Sequence, residues 1–288
     1  MSGSHRSVAV LLAVMIVLSL ATSMTGCSKE SPAPTASPAT TAATRDAAKV
    51  DETVHETVAA AIIATESIEE TQSIDTPDDP TESAEISVPE NMDAVLLACG
   101  YTAEDLYDIG CRQLVTVDSS GSSATIRFFT FDDRSWSEDE ALACSGYVGR
   151  NGVTTSMHEG GMATPFGLYT ISEAFYINEK PATGLPTFRI TDDTYWVDDP
   201  DSAYYNRRVE GTGDRDWSSA EHMIDYPATY EYGFVIDYNT EAAYAAGSAI
   251  FFHIKYEPTY GCVATDRDSV LGYLAALRAE ETPCIVII

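Results

Sequence analysis

Ala249-Ile250-Phe251-Phe252-His253-Ile254-Lys255-Tyr256-Glu257-Pro258-Thr259-Tyr260-Gly261-Cys262-Val263-Ala264 reads as an apolar strand, a turn and a return. The run 249–254 is apolar and aromatic apart from His253, near its end, which is the pattern of a buried strand. Pro258 and Gly261 let the chain turn back. Cys262 then stands just ahead of a segment in which Val270, Leu271, Leu274 and Leu277 share one helical face, and that spacing predicts a helix over 266–278. Working outward, β-branched, aromatic or alternating runs predict strands over 113–117, 124–131, 166–171, 195–197, 232–238 and 285–288, with a turn at Asp118-Ser119-Ser120-Gly121. Thr102-Ala103-Glu104-Asp105 opens a short helix, with Thr102 as N-cap and Asp105 closing the box. Many short strands and few helices predict a mainly β domain, a β-sandwich or related mixed sheet with a short helix after Cys262.

The first 90 residues of the chain have a different composition. Residues 8–20 are almost unbroken apolar sequence, too short for a spanning helix of about 20 residues and suited to the core of a secretory signal of about 7–15 residues. Met24-Thr25-Gly26-Cys27 follows and resembles the bacterial lipobox, in which the Cys is acylated and becomes the mature N-terminus. Residues 1–27 therefore read as a lipoprotein signal, and the membrane is a partner through lipid on Cys27. Residues 28–90 are rich in Ala, Thr, Ser, Pro, Asp and Glu with almost no aromatics. Such a stretch buries too little apolar surface to offset its ordering entropy and reads as a tether. Residues 91–288 remain as one folded domain outside the cytoplasm, facing the cell wall.

The formal charge of −29 argues against nucleic acid as a partner, because phosphate contacts need a basic surface. Six cysteines are present. With Cys27 lipidated and Cys262 reactive, Cys99, Cys111, Cys144 and Cys284 form an even remainder suited to disulfides in an oxidising compartment. Cys99 with Cys111 is the local option, and Cys144 with Cys284 would then tie back the last strand. No Cys-x-x-Cys or His-x-x-x-His pair suggests a metal site, and no cofactor is expected.

Three effects converge on Cys262 in this reading. The following helix would lend its positive N-terminal end to a thiolate. His253 would take the thiol proton. Backbone N–H groups around Gly261 and Cys262 would face a developing oxyanion. Glu221-His222, after Trp217-Ser218-Ser219, reads either as a polar pair lining the cleft or as a loop pair satisfied locally. His158 beside Glu159 reads as solvent-exposed. Tyr195, Trp196, Tyr204 and Tyr205 read as a substrate platform or as aromatic core.

His253 followed by Thr259-Tyr260-Gly261-Cys262-Val263 resembles the active-site signature of the L,D-transpeptidases, the YkuD-like domain. Upstream, Val148-Gly149-Arg150-Asn151-Gly152 and Gly160-Gly161-Met162-Ala163-Thr164-Pro165-Phe166-Gly167 resemble the family's Thr-Pro-x-Gly region, and 204–207 to 225–227 resemble a divergent branch of it. The resemblance covers residues 110–288. Tyr260 stands where most members have His, Ala264 where Arg is common, and His253 lies closer to Cys262 than usual. The resemblance implies the family's fold and a cysteine acyltransferase acting on peptidoglycan stem peptides. Cys262 would be its nucleophile, His253 its base and then acid, and Thr259, Tyr260 and Gly261 would border the oxyanion. Cys262 would attack after the third stem residue and release D-Ala, and an amine of a neighbouring stem would take the acyl group. With water as acceptor the same site is an L,D-carboxypeptidase. A wall-binding lipoprotein without catalysis and a general exported cysteine peptidase are the competing readings.

Overall fold

The computed structural model describes residues 85–288. The apolar run 8–20, Cys27 and the tether up to residue 84 lie outside the described residues. The last part of the expected tether is already domain: Ile86 is buried, and Ser87 bridges Ser135. A helix absent from the sequence reading follows at once, α1 (Glu90–Cys99), burying Met92, Val95 and Leu96 and ending on left-handed Gly100. Its N-cap, Pro89, has no side-chain hydrogen bond to offer, so no capping signal marks its start. The next helix, α2 (Ala103–Asp108), carries the expected reciprocal capping box between Thr102 and Asp105.

The strands follow in chain order: β1 (Gln113–Ser120), β2 (Ser123–Asp132), β3 (Ser135–Glu138), β4 (Cys144–Tyr147), β5 (Val153–Thr154), β6 (Thr164–Pro165), β7 (Gly167–Tyr176) and β8 (Thr187–Arg189). Then come β9 (Thr194–Val197), β10 (Arg208–Glu210), β11 (Ala220–His222), β12 (Tyr232–Ile236), β13 (Phe251–Ile254), β14 (Val263–Thr265), α3 (Arg267–Ala276) and β15 (Cys284–Ile287). The expected turn at 118–121 is mostly strand: β1 and β2 pair as far as Ser120 with Ser123, and only Gly121, at φ +64°, and Ser122 turn the chain.

The domain is mainly β, as its alternating runs predict, but the main sheet closes on itself instead of stacking as a sandwich. Its ring runs β1-β15-β7-β12-β13-β14-β4-β2 and back to β1, with β3 beside β2 and β8 beside β7. Pairing is mixed, with β1–β15, β13–β14 and β7–β8 parallel. Closure leaves those ring strands without an open edge. Alternate residues sort to two sides. Phe234, Phe252, Ile254, Val263, Ile285 and Ile287 share one core with Val270, Tyr273, Leu274 and Leu277 of α3. Phe234 and Phe252 stack at 4.6 Å, and burying each ring is worth about 1.5–3 kcal/mol. Two further cores lie outside this one. α1 and α2 cover β1 and β15 through Met92, Leu96, Leu106, Leu114 and Val286. The other holds Phe175, Trp196, Met223, Tyr230, Phe251 and Cys262, where the small sheet β10-β9-β11 adjoins β12 and β13. Among the described residues no helix is long and apolar enough to cross a membrane.

The cysteine packing differs from the pairings expected. The five described cysteines are free thiols. Cys144 packs on the core that holds α3, whereas Cys284 faces the core under α1, so β15 points the two apart. Cys284 meets Cys111 instead, thiol to thiol, both buried. Non-reducing peptide mapping of protein prepared under oxidising conditions should therefore recover a Cys111–Cys284 peptide pair, whose bond contributes about 2–4 kcal/mol. A Cys144–Cys284 peptide would contradict this packing.

Candidate active site

β13 carries the site because its side chains alternate. Phe252 and Ile254 enter the α3 core, while Phe251 and His253 point the other way. The strand begins at Phe251, later than the sequence reading has it, because Ala249 sits at φ +54° in the left-handed region. Asn206 Oδ1 accepts the Ala249 N–H at 3.0 Å and holds this turn. The turn aims the Ala249 carbonyl at Cys262, whose thiol donates to it at 3.3 Å and accepts from Phe251 N–H at 3.3 Å. A left-handed non-glycine residue beside a buried sulfur is strain of the kind that gathers at working sites.

Cys262 and His253 line one cavity of about 430 Å³ together with Glu221, Tyr230, Asp198 and Ser248. His253 is buried, and its Nδ1 lies 3.1 Å from the Ile254 carbonyl. A carbonyl can only accept, so Nδ1 carries the proton and Nε2 keeps its lone pair. Tyr230 packs edge-on against the imidazole at 5.4 Å. Burial lowers the His253 pKa to about 4, with Lys255 adding to the effect against the opposing carbonyl.

The thiol departs from expectation. Burial pushes Cys262 well above the ordinary thiol range, and the neighbouring Glu221 adds to the shift. The helix that was to lower it does not reach it: β14 intervenes, and the N-terminus of α3 is already capped by Asp266, which accepts from Asp268 and Ser269. α3 itself is shorter than the 266–278 pattern, and Tyr273, whose hydroxyl donates to the Leu142 carbonyl, is buried on it while Leu271 is only partly so. The resting pair is thus neutral thiol and neutral imidazole.

The Gly261 amide is also committed. It donates to Thr259 Oγ1 at 3.1 Å, and Thr259 Oγ1 in turn donates to the Cys262 carbonyl at 2.6 Å. Thr164 braces the same carbonyl at 3.3 Å while accepting Gly149 N–H at 2.8 Å, which gives the Thr-Pro-x-Gly stretch a structural task. The amide of Cys262 itself is left as the candidate oxyanion donor. Gly261, at φ +155°, leaves no slack for a side chain, since a Cβ would lie 3.2 Å from the Ala163 carbonyl oxygen. Tyr260 is exposed, with Arg150 and Lys255 over its ring at 4.5 and 5.3 Å from the centroid. Those cations form a positive rim at a site in an acidic chain.

Of the pair Glu221-His222, only the first lines the cavity. Strand alternation turns His222 away, where its ring nitrogens meet the Asp192 carbonyl at 2.8 Å and Asp225 at 3.0 Å, and its ring stacks on Tyr195. These contacts raise its pKa, the Asp192 carbonyl most. Glu221 accepts the Tyr230 hydroxyl at 2.5 Å. Its pKa rises to about 7, chiefly through burial; the Tyr230 bond opposes the shift, Asp198 reinforces it, and Lys255 opposes it least. Trp196 and Tyr205 prove to be core, Tyr205 donating to Glu159, while His158 is exposed as read.

The sequence reading misses Tyr230, Asp198, Arg150 and Lys255. Lys255 had a signal, since it stands two residues after His253 and so on the same face. Tyr230 and Asp198 are brought in from distant segments and carry no local signal, whereas Arg150 stands in the Val148–Gly152 stretch of the resemblance, with no role assigned to it there. Among the described residues no group of His, Cys, Asp and Glu is gathered to hold a metal ion. No protein-family model, curated protein or solved structure matches this chain.

Proposed function

We propose that this chain is an exported, lipid-anchored cysteine L,D-transpeptidase that remodels peptidoglycan stem peptides. The observation that carries the reading is one cavity holding Cys262 and a neutral His253 whose Nε2 is available as a base. It is joined by the likeness of His253 and Thr259-Tyr260-Gly261-Cys262-Val263 to that family's signature, whose catalytic-domain fold we assign to the closed mixed sheet.

The resting thiol is protonated, so attack and proton transfer go together: Cys262 Sγ bonds to the stem carbonyl as His253 Nε2 takes its proton. The protonated His253 then gives that proton to the departing D-Ala nitrogen, leaving a thioester on Cys262. The oxyanion faces the Cys262 amide, and the free carboxylate of the stem meets Arg150 and Lys255 at the Tyr260 rim. An amine of a second stem then takes the acyl group. The lipid on Cys27 and the tether place this domain within reach of the wall.

A tetrapeptide stem, offered to the full-length protein with and without an amine, tests the reading by product mass. Release of D-Ala with capture by the amine is the expected result. Release without capture makes it an L,D-carboxypeptidase, and no covalent adduct with stem or carbapenem overturns the enzyme reading. The wall-binding alternative draws on one observation, the raised pKa of the Cys262 thiol.

A further inference from the structure

The cavity carries more polar groups than the acylation step uses. Asp198 Oδ1 and Ser248 Oγ are both buried there without a hydrogen-bond partner. A buried polar atom left unpaired is costly, and where its residue lines a cavity, a small shift of the side chain lets it pair with a group that enters. Glu221 lines the same cavity: β11 and β9 pair it antiparallel with Trp196, and Asp198, two residues beyond Trp196, lies diagonally on the same face, where its charge acts on Glu221. Its Oε1 is fixed by the Tyr230 hydroxyl at 2.5 Å.

The charge balance around these groups is negative. Lys255 is the cation among the cavity residues, and it is drawn off toward Glu257 at 3.6 Å and toward the Tyr260 ring. Asp198 acts on Glu221 more strongly than Lys255 does. A group that brings positive charge and several N–H donors fits these surroundings, and a primary ammonium has three.

We infer that Asp198, Glu221 and Ser248 form an acceptor subsite that binds the ammonium group of the incoming amine, with Glu221 removing one of its protons. The inference rests on the transpeptidase reading and names the residues that favour amine over water. The step balances. R–NH3+ gives one proton to the Glu221 carboxylate and becomes R–NH2. The nitrogen then bonds to the thioester carbon as the C–S bond breaks, its second proton passes through His253 to the Cys262 sulfur, and Glu221 returns its proton to solvent. A carboxyl that titrates near neutrality suits this task, since it ionises beside a cation and gives up its proton readily afterwards.

Two measurements on the full-length protein test the subsite. The first compares wild type with Glu221→Gln and Asp198→Asn. Each is acylated with a tetrapeptide stem, given a defined primary amine, and read by mass as the ratio of amine capture to hydrolysis per acylated enzyme. Glu221→Gln keeps the acceptor for Tyr230, and its ratio should fall at least about tenfold, a modest fraction of what a proton-transfer group supplies. The wild-type ratio should rise with pH through Glu221 ionisation, and that rise should vanish in the variant. Equal ratios, or capture and hydrolysis falling together, overturn the inference. The second measurement needs no turnover: n-butylammonium is titrated into Cys262→Ala protein and Tyr230 is followed by NMR. A saturable shift that disappears in Cys262→Ala/Glu221→Gln supports the subsite, and no shift, or one that persists, overturns it. Failure of wild type to acylate would strike the transpeptidase reading alone, and the titration would still decide the subsite.

Discussion

Cys262→Ala should end adduct formation and product release together, by a factor on the order of 10⁴ or more; loss of the nucleophile in enzymes of this logic costs about 10⁶. Among the described residues the sulfur is the one thiol that shares the cavity with His253, so none of them can replace it. The variant leaves Phe251 N–H and the Ala249 carbonyl without the partner they share at 3.3 Å. Unmaking such bonds costs about 1–3 kcal/mol, within the roughly 5–15 kcal/mol of a typical domain. The protein should stay folded, and circular dichroism with intact-mass analysis after carbapenem or stem treatment checks both halves. Cys262→Ser should also be nearly inactive, because the cavity already disfavours the thiolate and a hydroxyl is harder still to deprotonate. Normal turnover by Cys262→Ala would end the enzyme reading.

His253→Ala should slow acylation by about 10²–10⁴-fold, and the wild-type acylation rate should fall as pH drops through about 4, where Nε2 takes a proton. An acid limb near the ordinary His value of about 6.5 would mean that the imidazole is not buried as described. The same burial links the site to stability. For His253 the folded value, about 4, lies below the unfolded 6.5, so the unfolded chain binds the extra proton and stability rises with pH across that window. For Glu221 the folded value, about 7, lies above the unfolded 4.5, so the folded chain holds the proton and stability falls as pH rises from 4.5 to 7. Between pH 4.5 and 6.5 the two slopes oppose each other. Measured by urea unfolding against the wild-type profile, His253→Ala should lose about 2 kcal/mol over that span, and Glu221→Gln should gain a similar amount. Parallel curves for all three proteins would contradict these shifts.

How far the sequence can be read depends on whether a feature is local. The capping box at Thr102, the alternation of β2 and the apolar β13 are written in neighbouring residues, and all are found. The helix α1 had its own signal, Met92, Val95 and Leu96 at helical spacing, hidden by a Pro start and by the acidic composition before it. Sheet closure is not local: nothing within β15 says that it lies between β1 and β7. At the site, Cys262 and His253 are legible because they stand in one short stretch. The state of the thiol is not, because it depends on Phe251, Ala249 and Glu221 around it and on a three-residue strand that separates it from the helix. Glu221 and His222 show the limit plainly: adjacent residues, one turned into the cavity and the other out of it by the pleat.

The place of β15 governs when folding can finish. It is the last described strand in chain order, yet it is the stave between β1 and β7. Until 284–287 has emerged, the barrel is open along both neighbours, and the Cys111 thiol lacks its companion. The barrel therefore stays open until the last of its strands in chain order has been made. Under the export proposed above, a chain held open in this way would pass a membrane pore before the barrel closes, and Cys111 would meet Cys284 only on the far side.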